Sequence, residues 1–327
     1  MLLLTRNDPF NHPMLRRLLS ECGVESLESL HKQKLFHIFH LISLPGSSDL
    51  LLADDPIAFM CGWVIVRKGI KHRRFWALEI YEHQISLSGW RSYLRWIVFS
   101  CASTISFRLA DSVVFPSGLR KQYALSTYSS AHIDRKSSIL PNISVLSKPD
   151  NELPVDVSTK LMALRNQFKV IAIYSGSLQP GRGLINIINA VEAQKDNDIA
   201  LVLCGPVKAS LINVDSIAWR STTFLGNFNP NLIAAIYQRC DVGVLSYEND
   251  PINTRLCAPV KMWEYLLSGL RIVGNDNYAL KSEWSNYIDA YFDLTSESVV
   301  DAILMAANNK TDKPALPVYN AEILVNS

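Results

Sequence analysis

The sequence predicts an α/β protein of two tandem, doubly wound, Rossmann-like domains. Short apolar runs alternate with helical stretches along most of the chain, and this alternation restarts after a proline-containing break. The length of 327 residues also exceeds what one hydrophobic core commonly holds. We therefore predict an N-terminal domain over residues 1–150 and a C-terminal domain over residues 151–327. Because ligands bind at the carboxyl ends of parallel strands, we expect a functional cleft between these domains.

The first domain is predicted from four strand-helix pairs, each bounded by Gly, Asp or Pro. Such pairs indicate βαβ units and a parallel sheet that helices cover on both faces. In chain order the pairs are "MLLLT" with "PMLRRLLSECG", "SDLLLA" with "DPIAFMCGWVIVRKG", "RRFWALEIY" with the segment that ends at Arg108, and "DSVVFPS" with "GLRKQYALS".

The second domain follows residues 137–156, a stretch with three prolines and several turn-forming residues. Its predicted strands and helices again alternate, which indicates a second parallel sheet. In order they are "KVIAIYSGS" (strand), "GLINIINAVEAQ" (helix), "IALVLCGP" and "TTFLGN" (strands), "PNLIAAIYQRC" (helix), "DVGVLSY" (strand), "PVKMWEYLLSG" (helix) and "LRIVGN" (strand).

Composition limits the class of protein. With 48% hydrophobic and 19% charged residues, the chain is typical of a folded globular protein, and its net charge of +2 is too small to suggest a nucleic-acid binder. Charge is unevenly distributed: 18 Lys/Arg face 12 Asp/Glu through Asp150, against 14 and 18 afterwards. The basic half could meet an anionic membrane or an anionic substrate, and a merely solvated surface is at least as good an explanation.

The cysteines and the apolar segments bear on the compartment. Six cysteines without CxxC spacing indicate a reduced compartment, with no zinc site or disulfide framework signalled. The opening "MLLLT" is too short for the core of a secretory leader and predicts a buried strand. Residues Trp96–Phe107 lie between two arginines and are too few to cross a bilayer. We interpret them as a buried helix, with interfacial docking as the alternative.

The first chemical motif is "YSGSLQPGRGL", residues 174–184. Its glycines allow close approach of a ligand to the backbone, the following helix offers unpaired N–H groups, and Arg182 adds a positive charge. Together they could cradle a diphosphate. The stretch is neither a P-loop nor a GxGxxG fingerprint, and a flexible strand-to-helix turn is the alternative.

The second motif is "APVKMWEYLLSG", residues 258–269. A helix that begins near Pro259 places Lys261, Glu264 and Ser268 in one polar stripe, and Gly269 is placed to close it in a left-handed conformation. Taken alone, the Lys-Glu pair is more typical of a surface contact than of a binding site.

A third candidate is the pair Asp54 and Asp55, which ends the run "SDLLLADDP". These carboxylates could orient or deprotonate a hydroxyl at the carboxyl end of a strand. Capping the helix that starts at Pro56 is the competing interpretation.

Taken in order, the motifs resemble a known family. The series "Y.GS...GRGL..II.AV", "LVLCGP", "FLGNF....L...Y..CDVGVLSY" and "P.K.WEYL.SG.RIV" is similar to the C-terminal domain of GT-B fold glycosyltransferases, most of all the retaining enzymes of glycosyltransferase family 4. The likeness covers most of residues 168–276. The segments "DSVVFPSGLRKQY" and "SSILPN" resemble the family's N-terminal half more weakly.

The resemblance implies a donor site for a sugar nucleotide. Glu264 would bind the ribose hydroxyls, Lys261 would lie near the phosphate or sugar, and Arg182 would contact the diphosphate. The segment Gly226–Phe228 would lie beside the base. The whole donor-binding set implied is Gly176, Ser177, Arg182, Gly183, Gly205, Asn227, Phe228, Lys261 and Glu264.

Three positions depart from the family pattern. Leu256 stands where many relatives have a first glutamate near the sugar, Ser177 stands where an arginine is frequent, and Leu78-Glu79 stands where a His-Glu pair is frequent. The loop after the first strand also lacks glycine. The catalytic set we predict on the acceptor side is Glu79, Glu82 and His83, with surface or interdomain structure as their alternative role.

The function implied is transfer of a sugar, with retention, from a nucleoside diphosphate sugar to a hydroxyl acceptor. Neither a metal nor a cofactor is expected, and the acceptor implied is a glycan or lipid-linked saccharide of cell-surface polysaccharide synthesis, at the cytoplasmic face of a membrane. Two alternatives stay open. A GT-B fold nucleotide-sugar epimerase would need acid/base groups, yet no histidine follows residue 150. A non-catalytic, glycosyltransferase-like partner would fit the three departures and a tail after residue 300 without a clear helix.

Overall fold

The computed structural model describes residues 2–5, 28–29, 50–65, 70–80, 89–128, 130–143, 153–179, 182–196, 198–207, 219–318 and 323. The chain divides into two compact units. The first comprises Met1–Ile143, Pro251–Ala258 and Pro317–Ser327, and the second comprises Ser144–Asp250 and Pro259–Leu316. The predicted boundary near residue 150 lies outside the described residues.

The first unit is built on a six-stranded sheet in which every pairing is parallel. Its strands are β1 (Leu2–Thr5), β2 (Glu28–Ser29), β3 (Leu50–Ala53), β4 (His72–Trp76), β5 (Ser112–Phe115) and β6 (Ser137–Ile139), in the spatial order β2-β1-β3-β4-β5-β6. All four residues of β3 are buried, as expected for a strand with both faces covered.

Helices follow the strands of this sheet. Those described up to residue 143 are α1 (Pro56–Ile65), α2 (Trp90–Leu109), α3 (Gly118–Tyr128) and α4 (Ser130–Arg135). Asp55 caps α1, because its Oδ1 accepts hydrogen bonds from the backbone N–H groups of Ile57 at 2.8 Å and Ala58 at 3.0 Å. The capping interpretation of this aspartate is thereby confirmed. The helix predicted at "PMLRRLLSECG" lies outside the described residues.

Helix α2 differs from its prediction. The apolar segment at Trp96–Phe107 is helical, but the helix is longer, and it is not buried all round. Only Phe99, Ala102, Ser103, Ser106 and Phe107 are buried, whereas Val98 within the same segment is 54% exposed. Along the described ranges, no helix combines the length and apolarity needed to cross a bilayer.

The second unit has a six-stranded sheet of its own, again parallel throughout. Its strands are β7 (Val170–Ser175), β8 (Ile199–Cys204), β9 (Thr222–Gly226), β10 (Val242–Leu245), β11 (Arg271–Asn275) and β12 (Ala290–Phe292), in the spatial order β12-β11-β10-β7-β8-β9. Every residue of β7, β8 and β10 is buried. These three central strands carry the core of this unit.

Seven helices are described from residue 153 onward: α5 (Val155–Gln167), α6 (Leu184–Ala193), α7 (Pro230–Tyr237), α8 (Ile252–Arg255), α9 (Val260–Leu267), α10 (Tyr278–Ser282) and α11 (Ser296–Asn308). Helix α11 buries Val299, Ile303 and Ala306 in the core that α6 also joins. The expectation of a tail without a clear helix is therefore wrong at residues 296–308, whose apolar spacing of three and four is helical.

Helix α8 belongs to the first unit although its neighbours in sequence belong to the second. The guanidinium of Arg120, itself 6% exposed, donates to the carbonyls of Leu78, Leu256 at 2.9 Å and Asn253 at 3.4 Å. Asn253 also donates from Nδ2 to Glu79 Oε2 at 2.7 Å. These contacts fix residues 251–258 on the carboxyl end of β4.

Candidate functional site

The loops after β7 and β8 meet at the carboxyl edge of the second sheet. The backbone N–H of Gly176 donates to Cys204 O, and that of Gly205 donates to Gly226 O, both at 2.9 Å. A β-carbon added at Gly205 would lie 2.8 Å from the carbonyl carbon of Gly176 and closer still to its oxygen. Gly205 also has φ +136, which L-residues rarely adopt. The structure thus brings these two predicted residues together, and only glycine fits at the second.

The N-terminus of α6 opens at the same edge. Gly183 precedes the helix with φ +57, and a β-carbon there would lie 2.8 Å from Leu294 Cδ2. The N-cap residue is a glycine, so no cap hydrogen bond from its side chain satisfies the first backbone N–H groups, which leaves them available to an anion. The guanidinium of Arg182, just before it, lies 4.4 Å from the centroid of the Tyr247 ring. This cation–π contact positions the charge beside the helix N-terminus.

Glu264 on α9 lies in a buried polar cluster. It is 6% exposed, and its Oε2 is 2.7 Å from Lys261 Nζ and accepts a hydrogen bond from Tyr237 OH at 2.8 Å. The same phenol oxygen lies 2.7 Å from Ser175 Oγ, at the last residue of β7. A surface ion pair is therefore the wrong interpretation of Lys261 and Glu264. The sequence analysis assigned no role to Tyr237, although this residue is the tyrosine between "FLGNF" and "CDVGVLSY" in the quoted motif.

Tyr237 is held as a hydrogen-bond donor. Burial first, and then the neighbouring Glu264 carboxylate, raises the pKa of its phenol well above the ordinary value. The phenol therefore stays protonated at neutral pH and holds one carboxylate oxygen of Glu264. The Glu264 carboxylate is thereby oriented by a neutral group on one side and by a cation, Lys261, on the other.

Helix α9 approaches the sheet closely at one point. A β-carbon at Gly243 on β10 would lie 2.8 Å from Tyr265 Cε2, so glycine is needed for this ring to pack on the strand. The hydroxyl of Tyr265 accepts the backbone N–H of Ser175 at 2.9 Å. At its other end the helix is followed by Gly269 with φ +80, the left-handed closure that the sequence predicts. The packing of Tyr265 therefore fixes the position of its neighbour Glu264 relative to the end of β7.

Ser246, directly after β10, carries a buried hydroxyl that has no hydrogen-bond partner among the described residues. The residue is 2% exposed, and its Oγ lies 3.4 Å from the position of a β-carbon on Gly183. A buried hydroxyl left unpaired costs roughly 1–3 kcal/mol. This hydroxyl lies beside the N-terminus of α6 and could form a hydrogen bond with a ligand bound there. The sequence analysis did not name Ser246 as a site residue. The only feature of the sequence that could have indicated it is its position at the carboxyl end of the predicted strand "DVGVLSY".

The remaining predicted donor residues lie along the same edge. Ser177 follows Gly176, and its carbonyl accepts Tyr174 OH at 3.2 Å. Asn227 is exposed and Phe228 half-buried just after β9. Cys204 at the end of β8 is not a nucleophile, because burial raises the pKa of its thiol to about 12.

In the first unit, Glu79 lies just beyond the carboxyl end of β4, with its carboxylate on Asn253. Leu78 is 1% and Leu256 6% exposed, so both departures from the family pattern are core residues. Glu82 and His83 lie outside the described residues. Within the described part of the chain, no group of three or more His, Cys, Asp or Glu side chains is placed to hold a metal.

Sequence comparisons give no match: neither a protein-family model nor a curated protein resembles the chain. Solved structures do. HepE of Anabaena, in complex with UDP and glucose, superimposes with a TM-score of 0.60 at 15% identity, over 94% of this chain and 91% of that chain. Sucrose-phosphate synthase from Thermosynechococcus elongatus gives 0.65 at 13%, over 93% and 88%. The chain has the GT-B fold.

A third GT-B structure is the UDP-forming α,α-trehalose-phosphate synthase from Burkholderia vietnamiensis, with a TM-score of 0.56 at 13% identity over 84% of this chain and 67% of that chain. The predicted fold class, two Rossmann-like parallel sheets of the GT-B type, is confirmed. At these identities the likeness establishes the GT-B fold.

Proposed function

We propose that this GT-B protein transfers a sugar from a nucleoside diphosphate sugar to a hydroxyl acceptor. The observation that carries the proposal is the buried Glu264, oriented by Tyr237 and Lys261 on the same sheet edge as the uncapped N-terminus of α6. A carboxylate suits the paired hydroxyls of a ribose, and a helix N-terminus suits phosphate. Known GT-B structures that hold UDP with glucose support this assignment.

The donor would be held from both ends of its diphosphate. Glu264 accepts the ribose hydroxyls, while Asn227 and Phe228 lie on the side of the base. The N–H groups that begin α6, together with Arg182 and the free hydroxyl of Ser246, bind the phosphate oxygens. Lys261 adds a second positive charge. Gly176, Gly183 and Gly205 let the backbone come within hydrogen-bond distance of the ligand, and Ser177 extends the loop that Gly176 begins.

Catalysis would rest on stabilising the leaving group. As the bond between the anomeric carbon and the phosphate oxygen breaks, negative charge grows on the nucleoside diphosphate. Positive groups already in place, Arg182, Lys261 and the α6 N-terminus, stabilise that charge without reorganising. No metal ion is required for this role. Retention at the anomeric carbon and membership of glycosyltransferase family 4 belong to this proposal through the sequence motifs.

The acceptor would meet the first unit, where Glu79 lies at a strand's carboxyl end. Glu79, Glu82 and His83 are the groups we assign to orient or deprotonate its hydroxyl. The basic surplus of residues 1–150 suits an acceptor attached to an anionic lipid. We place the protein in polysaccharide synthesis at the cytoplasmic face of a membrane.

The test of this function is a nucleotide screen followed by a transfer assay. We expect UDP to stabilise the protein more than GDP, ADP or TDP in a thermal-shift experiment, by about 2.7 kcal/mol when its concentration is 100 times its dissociation constant. UDP-sugars are then offered with a panel of hydroxyl acceptors. Thermal shifts absent for all four nucleotides would rule out the donor site. A shift without transfer to any acceptor would favour a non-catalytic partner.

Ser246 gives a sharper prediction for the phosphate end. Ser246→Ala removes one hydrogen bond to phosphate, so we expect UDP to bind about tenfold more weakly. Stability without ligand should stay the same or rise, because an unpaired buried hydroxyl disappears. Isothermal titration calorimetry and urea unfolding measure the two effects.

Ser221→Ala is the matched control. Ser221 is also fully buried, and its hydroxyl has no hydrogen-bond partner within the described part of the chain, but it precedes β9 and therefore lies at the amino edge of the same sheet. We expect Ser221→Ala to have the same stability as Ser246→Ala. We expect it to bind UDP with the affinity of the unchanged protein. Equal affinities for the two variants would remove Ser246 from the site.

A further inference from the structure

We propose that α2 docks the protein on an anionic membrane surface through its solvent-exposed side. That side, here called the outward face, consists of Trp90, Tyr93, Leu94 and Val98, flanked by Arg91 and Arg95. The inference concerns membrane attachment and does not depend on sugar transfer.

The outward face is apolar where a soluble helix is normally polar. Trp90 is 68% exposed, Tyr93 55%, Leu94 48% and Val98 54%. At 100° per residue these positions fall on one side of the helix, while Arg91 and Arg95 follow along one border. Contiguous exposed apolar groups of this kind mark interaction surfaces.

The buried side of α2 has apolar residues of its own. Phe99 and Phe107 lie there with Ala102, Ser103 and Ser106, and the ring centroid of Phe107 is 5.2 Å from that of Phe75 and 5.9 Å from that of Phe115. The outward face is therefore a second apolar surface on the same helix, which the core contacts of α2 leave exposed.

The aromatic residues suit the boundary between lipid and water. Trp and Tyr are enriched at that depth because each combines an apolar ring with a polar atom. The ring of Tyr93 stacks on that of Trp96 with centroids 6.0 Å apart, and the guanidinium of Arg91 lies 5.5 Å from the Trp90 ring centroid. Apolar rings and positive charge are thus presented together.

Charge selects an anionic membrane as the occupant. Residues 90–109 contain three arginines and no acidic residue, and Arg91, Arg95 and Arg108 are all exposed. A helix of 20 residues is about 30 Å long, so it can lie along the surface with its apolar side in the headgroup region. A lone apolar face without this charge would not distinguish lipids.

A second copy of this chain fits the outward face less well. In a two-fold symmetric contact the same arginines enter from both copies. The helix offers no carboxylate to pair with them, so that contact would bring like charges together. An anionic lipid surface meets the same arginines with opposite charge.

The test is co-sedimentation of the full chain with vesicles, without nucleotide or sugar. We expect binding to vesicles of phosphatidylcholine mixed with phosphatidylglycerol, weakening as salt rises, and little binding to phosphatidylcholine alone. The double variants Trp90→Ala/Leu94→Ala and Arg91→Glu/Arg95→Glu should each weaken binding by about tenfold or more. Their UDP thermal shift should be unchanged, so that a failure of docking is told apart from a failure of the donor site.

Met162→Ala and Lys160→Glu are the controls, since both lie on α5 and are exposed in the same way. They should bind vesicles like the unchanged protein. Absence of binding to anionic vesicles, or equal losses in the controls, would overturn the proposal. So would a dimer in sedimentation velocity that the Trp90→Ala/Leu94→Ala variant dissociates while vesicle binding is absent, because the outward face would then join two copies.

Discussion

Replacing Glu264 by glutamine weakens the binding of UDP and UDP-sugars by about 10- to 100-fold, the effect of losing charge-assisted hydrogen bonds to the ribose. The substitution keeps the shape of a side chain that is 6% exposed and still offers an oxygen to Tyr237 OH. Lys261 loses its partner, but its side chain is 29% exposed and can be hydrated. Because the carboxylate is buried and its hydrogen bonds are charge-assisted, the unfolding free energy should fall by about 1–3 kcal/mol.

Glu192→Gln separates this effect from a general loss of a structural carboxylate. The Glu192 carboxylate accepts the backbone N–H groups of Arg220 at 2.8 Å and Ser221 at 3.0 Å, at the amino edge of the sheet. We expect this variant to lose stability and to keep its UDP affinity in calorimetric titration. An affinity of the Glu264 variant within twofold of the unchanged protein would refute the ribose role.

Gly205→Ala has the largest expected effect on stability, a loss of about 3–5 kcal/mol in urea unfolding. Two costs add: a side chain at φ +136 is strained, and its β-carbon collides with the backbone of Gly176, which cannot move aside as a flexible side chain can. The loops after β7 and β8 would separate, so UDP binding should be lost even in the molecules that remain folded.

Gly269→Ala is the corresponding control, because Gly269 also has a positive φ, +80, but has no atom within 4 Å of its added β-carbon. We expect it to cost about 1 kcal/mol, the price of the left-handed conformation alone. Equal losses of unfolding free energy in the two alanine variants would contradict this prediction. They would show that the positive φ alone, and not the close approach of the two loops, requires glycine at position 205.

The longer strands of both sheets could be predicted because buried parallel strands are continuous apolar runs, a local signal, whereas the short strands β2 and β6 were not predicted. "KVIAIYSGS" and "IALVLCGP" correspond to β7 and β8 in this way. The final strand, β12, has only three residues and gave no such run. Helix α8 was missed because four residues are too few for helical periodicity to show. Both owe their structure to contacts with distant parts of the chain.

The candidate site could be predicted only in part. Glycine spacing and an arginine before a helix are local patterns, and they led to Arg182, Gly183 and the loop that contains them. The partners of Glu264 could not be found from spacing. Tyr237 is 27 residues away in sequence and reaches the carboxylate because the fold brings the last residue of α7 beside α9 and the last residue of β7. Spacing on α9 alone predicted a surface ion pair, because it carries no information about what covers the helix.

Helix α8 also governs how this protein can be recombined with others. A chimera joined once, near residue 150, would separate Arg120 from the carbonyls of Asn253 and Leu256. The guanidinium would then be buried with Leu78 O as its one remaining carbonyl among these three. The second unit could therefore be exchanged between relatives only if residues 251–258 and 317–327 stay with the first unit, through three additional junctions at Pro251, Pro259 and Pro317. The two units are interlaced in sequence, and exchanging one of them requires four junctions.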